Sequence, residues 1–176
     1  QEPSLPEGKT AREVALSGLG EWLESKRRYD ALCEELATNA RPLEIVLEEQ
    51  AHESEILERL GGFQKASEAE RILNVLGIER VEQLVETMIG GEKRHVALAR
   101  LLIAAPDLAI LDEPTNHLDA TTIEWLEEYL VDRFEGAVLL ITHDRFLLND
   151  VVTRTLEVTN GQVHSYEGGW EEFLMA

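Results

Sequence analysis

The sequence predicts an α/β chain in two parts. Residues 1–91 are expected to form a helical subdomain, and residues 92–176 a partial parallel sheet with helices and a C-terminal hairpin. Three observations carry this. Helical signals dominate residues 11–86, two short apolar runs alternate with helical stretches after residue 92, and a paired-strand pattern closes the chain.

The helical part opens at Thr10-x-x-Glu13, a capping box preceded by the turn Pro6-Glu7-Gly8. Pro42 is well placed at a helix start, and Leu43, Val46, Leu47, Gln50 and Ala51 follow the spacing of one helical face. Gly61-Gly62 stops that helix. Ser67-x-x-Glu70 reads as the capping box of the next, which ends at Gly77. A further helix over Glu92 to Ala104 leads to the apolar run Leu108 to Leu111. The helix Ala120 to Arg133 then leads to the run Ala137 to Thr142. Such alternation predicts βαβ units and a buried parallel sheet. The string TLEV-TNG-QVHSY predicts a hairpin turning at Asn160-Gly161.

With 176 residues, 44% hydrophobic and 29% charged, the chain has the length and composition of one globular domain or two small ones. Its net charge of −19 repels phosphate backbones, so direct nucleic-acid binding is not expected. Cys33 is the single cysteine, which excludes an internal disulfide and fits a reducing, cytoplasmic location. The longest apolar stretches, such as AVLLI at 137–141, are far too short to span a membrane, and no signal-peptide pattern stands at the start. His52, His95, His117 and His164 show no metal-ligand spacing with each other or with Cys33, so no zinc site is expected.

Gly8-Lys9-Thr10 looks like the end of a phosphate-binding loop. Such a loop needs a glycine five residues upstream of Gly8, and that position is Pro3, which has no N–H to offer a phosphate. The capping-box reading is preferred. Chemistry concentrates further on, in three strings. LAILDEPTNHLD places Asp112 and Glu113 at the C-terminal edge of a parallel sheet, where α/β ligands bind. There one carboxylate can hold Mg²⁺ and the other can deprotonate a water, although for the dipeptide alone a solvated strand-end turn, helped by Pro114, is the favoured reading. TMIGGEKRHVALAR sets Gly90-Gly91 before a helix, where backbone can approach an anion; alone, a plain glycine turn suffices. ITHDRFLL sets His143 directly after a strand, at the same sheet edge.

Together these strings resemble the ATP-binding cassette ATPases, and more narrowly the ABC-F group. On that resemblance Gln1 matches the Q-loop glutamine, Met88-Ile89-Gly90-Gly91-Glu92 the signature, and Leu108 to Asp112 the Walker B strand. Glu113 matches the catalytic glutamate, Asn116-His117-Leu118-Asp119 the D-loop and His143 the switch histidine, and the ending GQVHSYEGGWEEFL is similar to the close of a first cassette. The resemblance implies a helical signature subdomain and the C-terminal part of a RecA-like ATP-binding core. It implies ATP as ligand, Mg²⁺ held by Asp112 and Gln1, and catalysis by Glu113 with His143. Gln1, Ile89, Gly90, Gly91, Glu92 and Asp119 would be nucleotide contacts. A second cassette and the ribosome are the implied partners.

Two departures stand out. The family's phosphate loop lies upstream of the Q-loop, so this chain alone is expected to bind ATP weakly or not at all. Ile89 replaces the signature serine and His95 the usual arginine. Isoleucine has no donor, so a charge-assisted hydrogen bond of about 1.5–3 kcal/mol would be missing. A non-catalytic ABC remnant serving as a protein-interaction module is the alternative. A plain helical module explains residues 11–86 but none of the three strings.

Overall fold

The computed structural model describes residues 3–175. The chain divides into two compact units, Gln1–Ala104 and Ala105–Ala176. In the first, α1 (Ala11–Leu16), α2 (Gly20–Thr38), α3 (Leu43–Arg59) and α4 (Lys65–Val75) are followed by a 3₁₀ turn at Val85–Thr87 and by α5 (Gly90–Ala104).

Thr10 and Glu13 form the expected capping box: each side chain accepts the other's backbone N–H, at 3.2 and 2.9 Å. Gly8-Lys9-Thr10 is therefore a helix entry. The Lys9 carbonyl accepts from the Val85 amide at 3.0 Å, and its ammonium lies 3.5 Å from Glu13. Three residues of α1 (Ala11, Val14 and Ala15) are fully buried, packed against α4 and α5 with Ile72, Leu73, Val96 and Leu102. Because α5 packs on α1 and α4, it belongs with the helical unit.

The α2–α3 hairpin buries a face of α3 that is shifted around the helix from the one the apolar spacing predicts, sharing Val46 and Gln50 with it. Val46 and Leu57 are buried with Glu53, and Gln50 half-buried, whereas Leu43, Leu47 and Ala51 are exposed. Partners on α2 decide this. Ser25 donates to Glu53 Oε2 at 2.6 Å and Arg28 reaches Oε1 at 3.3 Å, so a buried carboxylate is satisfied on this face. Gly61 and Gly62, at φ +104° and +78°, end α3 as predicted. The next helix starts earlier than Ser67-x-x-Glu70 suggests. Its N-cap is Gln64, so Ser67 lies within the first turn, and Glu70 pairs with Arg12 at 2.7 Å instead of closing a box.

The second unit holds β1 (Leu108–Asp112), α6 (Ala120–Asp132), β2 (Ala137–Ile141), α7 (Arg145–Val151), β3 (Arg154–Thr159), β4 (Gln162–Glu167) and α8 (Trp170–Met175). β1 and β2 pair in parallel, with Leu108 opposite Ala137 and Asp112 opposite Ile141. β3 and β4 form the predicted hairpin, and both turn residues, Asn160 and Gly161, are left-handed as a tight hairpin turn requires. The expected buried parallel sheet is present, with burial on one face. Ala109 and Leu111 are buried, but Leu108, Ile110, Leu139 and Ile141 on the alternate positions are exposed. Strand period puts successive side chains on opposite faces, and only one face is covered. Among the described residues no helix is long and apolar enough to cross a membrane.

Two predictions follow from how this unit is held. A Cβ on Gly136 would lie 2.2 Å from the Pro106 carbonyl oxygen and 3.1 Å from that of Asp107, which accepts from Ala137 N–H at 2.8 Å. Gly136→Ala should lower stability by about 1–3 kcal/mol through this overlap, read as a reduced urea midpoint. An unchanged midpoint would show that the loop before β2 yields. The second concerns Asp119, the N-cap of α6. Its carboxylate accepts from Thr122 N–H at 2.8 Å, and that bond holds its pKa below the ordinary 3.8. A depressed folded value means the contribution is present above pH 3.8 and lost as pH falls through the folded value. Asp119→Asn, which keeps a capping oxygen, should trail the parent at neutral pH in a thermal melt. That gap should close in acid.

Candidate functional site

The strongest cluster forms where the two parallel strands end. Asp112 is the last residue of β1, on the same face as the exposed Leu108 and Ile110, and its carboxylate is open to solvent. Glu113 follows with φ +49°, a left-handed backbone uncommon for a residue with a side chain. Its amide nonetheless continues the ladder, donating to the Ile141 carbonyl at 2.7 Å. The turn then runs on through a bond from Asn116 N–H to the Glu113 carbonyl at 3.2 Å, and His117 is also left-handed.

This geometry brings the Glu113 side chain to the end of β2. Its Oε2 accepts from the Thr142 hydroxyl at 3.2 Å and, more weakly, from the His143 amide at 3.4 Å. Its Oε1 lies 3.5 Å from His143 Nε2. Glu113 is 26% exposed while the His143 side chain is 100% exposed, so the pair faces outward from the sheet edge. Asp144, next in the chain, caps α7 by accepting from the Phe146 and Leu147 amides at 3.1 and 3.3 Å.

The structure thus brings Asp112, Glu113 and His143 to one strand edge. It adds Thr142, which the sequence reading did not select. Thr142-x-Asp144 is a hydroxyl turn, the hydroxyl accepting the Asp144 amide at 3.0 Å, and that local pattern was the available signal. Asp119 lies at the start of α6, where its carboxylate is engaged as a cap. Gln1 lies outside the described residues.

Ile89, Gly90, Gly91 and Glu92 form a separate local feature in the helical unit. α5 starts at Gly90 rather than at Glu92, so both glycines supply first-turn amides. Ile89 occupies the capping position, its carbonyl accepting from the Lys93 amide at 3.1 Å. Glu92 accepts from the Ile89 amide at 3.0 Å, which is the return half of a capping box. Isoleucine has no oxygen to make the other half, and its side chain is 72% exposed.

Among the described residues no group of three or more His, Cys, Asp or Glu is arranged to hold a metal ion. The hard, exposed carboxylate of Asp112 does suit Mg²⁺, which commonly takes one or two protein carboxylates and completes its shell with water and phosphate oxygens.

Comparison with known proteins bears on this edge. A sequence model described as ABC transporter matches residues 1–116. The chain is 40% identical to the uncharacterized ABC transporter ATP-binding protein YfmR of Bacillus subtilis, over 99% of this chain and 27% of that protein. It is 36% identical to the energy-dependent translational throttle protein EttA of Mycobacterium tuberculosis and of Escherichia coli, over 99% of this chain and 31% of each. The chain therefore spans less than a third of the length of these relatives. A solved structure of a metal-chelate type ABC transporter in an inward-facing conformation shares the fold, with TM-score 0.50 and 17% identity over 94% of this chain and 55% of the other. On the family match, which covers residues 1–116, the chain belongs to the ABC transporter family.

Proposed function

We propose that this chain supplies part of an ABC-F-type ATPase cassette, which binds and hydrolyses ATP with Mg²⁺ at an interface between two cassettes. The observation that supports it most is the Glu113 carboxylate. It is anchored through one oxygen at the C-terminal edge of two parallel strands, and its other oxygen is turned toward an exposed histidine. A general base must be held in place while keeping an oxygen accessible to a water, and the anchoring of Glu113 through Oε2 supports that role.

In this reading Asp112, with Gln1, holds Mg²⁺, which supplies charge neutralisation for the phosphates. Glu113 takes a proton from the attacking water as the water oxygen bonds to the γ-phosphorus and the bond to the ADP oxygen breaks. His143 donates to a γ-phosphate oxygen or holds the water. The first-turn amides of Gly90 and Gly91 face the nucleotide of a partner cassette, and Glu92 and Asp119 hold the backbone of the signature and the D-loop. Coupling to translation is proposed from the likeness to EttA, whose name describes a translational throttle.

A non-catalytic cassette serving as an interaction module is the second reading. Ile89 favours it, because the exposed signature position carries no hydrogen-bonding group.

Turnover separates the two readings. In the full-length protein that contains this segment, Glu113→Gln should lower steady-state hydrolysis by about 10²–10⁴-fold while retaining bound ATP. Hydrolysis by the variant at the parent rate would make Glu113 a structural turn residue, and a parent protein that does not hydrolyse ATP would favour the second reading. Ile89→Ser tests the signature turn. Its hydroxyl can accept the Glu92 amide and complete the capping box, so thermal stability should rise by about 1 kcal/mol, or about 2–4 °C, without nucleotide. No rise in the melting midpoint would mean that the Glu92 bond alone already holds the turn.

A further inference from the structure

Glu113 carries two carboxylate oxygens, and they are not equivalent. Oε2 lies 3.2 Å from the Thr142 hydroxyl oxygen, and Oε1 lies 3.5 Å from His143 Nε2. The direction of the Thr142 bond is set by its other partner. The Asp144 backbone amide can only donate, and it donates to Thr142 Oγ1 at 3.0 Å. The hydroxyl therefore has its own proton free to give, and the Glu113 carboxylate is the acceptor in reach. Asp144 is itself held, because its carboxylate accepts the Phe146 and Leu147 amides at the start of α7. The orientation of one oxygen of Glu113 thus derives from the fixed start of a helix.

We propose that Thr142 is a positioning residue for the proton-accepting carboxylate: by donating to Oε2 it stops the carboxylate from rotating and leaves Oε1 as the atom that takes the proton. This rests on the reading of Glu113 as general base. The backbone of Glu113 is already fixed by its left-handed turn and its bond to Ile141. The remaining freedom is rotation of the side chain, and the Thr142 hydroxyl at 3.2 Å restrains it with a shorter bond than the His143 amide makes at 3.4 Å. A threonine whose hydroxyl merely stabilised the β2–α7 turn would have no need to reach across to the end of β1. Proton transfer is sensitive to such placement, because the acceptor must lie within hydrogen-bond distance of the water at the moment of attack.

The test uses the full-length protein containing this segment, with ATP and Mg²⁺, and measures kcat, KM and their pH dependence. Thr142→Val keeps the shape and deletes the hydroxyl. It should lower kcat about tenfold with little change in KM for ATP, the size expected for one lost hydrogen bond to a charged group. Thr142→Ser retains the hydroxyl and should recover most of the rate. In the Glu113→Gln background Thr142→Val should add nothing, because the group it positions no longer accepts a proton. Three outcomes overturn the proposal: Thr142→Val at the parent rate while Glu113→Gln is inactive, an equal loss from Thr142→Ser, or an undiminished further loss in the Glu113→Gln background. Glu113→Gln at the parent rate would overturn the general-base reading, and this inference with it. Should Thr142→Val fail to fold, Thr142→Ala, which also deletes the hydroxyl, takes its place in each comparison.

Discussion

The bond from the Glu113 amide to the Ile141 carbonyl, 2.7 Å long, is the constraint on which the candidate site depends. It extends the parallel ladder one residue beyond the last strand pair, Asp112 with Ile141. In doing so it turns Glu113 into a left-handed conformation and aims its side chain along the end of β2. A residue in ordinary extended geometry there would place its side chain by strand alternation, on the face opposite Asp112. The left-handed turn separates the two carboxylates by function. Asp112 stays on the exposed sheet face, and Glu113 joins Thr142 and His143. Backbone strain of this kind persists where neighbouring bonds over-determine it, and here four hydrogen bonds do so: Ile141, Thr142, the His143 amide and Asn116.

The helical unit is organised by a different economy of polar groups. Buried positions on the α2–α3 hairpin include Ser25 and Glu53, and the carboxylate is satisfied by Ser25 and Arg28. Removing either partner would leave a buried acceptor short of a donor, which is why a charged residue can hold the register of a helix pair without being the main source of its stability. At the start of α5 the same logic applies with one half missing. Glu92 satisfies the Ile89 amide, and position 89 presents methyl groups where the serine of the resembled group would present a hydroxyl. The turn at the start of α5 is thus held by its backbone bonds and Glu92, with no hydrogen bond from the side chain at 89.

The charge of −19 shapes what the surface can meet. Ion pairs such as Arg12 with Glu70 and Glu82, and Arg41 with Glu35 and Glu49, place arginines against an excess of carboxylates. Arg41 is held strongly protonated by Glu49 and Glu35. These pairs are partly exposed, so their contribution to stability is small and falls with salt. The apolar face formed by Leu108, Ile110, Leu139 and Ile141 is the opposite case. It is a row of side chains suited to a layered α/β core, and only the other face of the two strands is covered.

Several features were legible in residues alone because they depend on neighbours along the chain. The Thr10–Glu13 box, the glycine stops at 61, 62 and 77, the Asn160-Gly161 hairpin and the strand runs near 108 and 137 are of this kind. Strand ends carrying Asp112-Glu113 and His143 also follow from local pattern, since a parallel pair in this register must bring its C-terminal ends together. The tertiary structure decided the rest. Which face of α3 is buried depended on Ser25 and Arg28 of another helix, and where α4 began depended on the turn that precedes it. Covering one sheet face rather than two is a matter of layers, to which a strand's own apolar pattern is blind. The contact between Thr142 and Glu113 joins residues 29 positions apart through a hydroxyl only 3.2 Å from a carboxylate. Sequence specifies which groups are available for such a bond, but its direction and partner are set only when two strands pair and a backbone turns left-handed at Glu113.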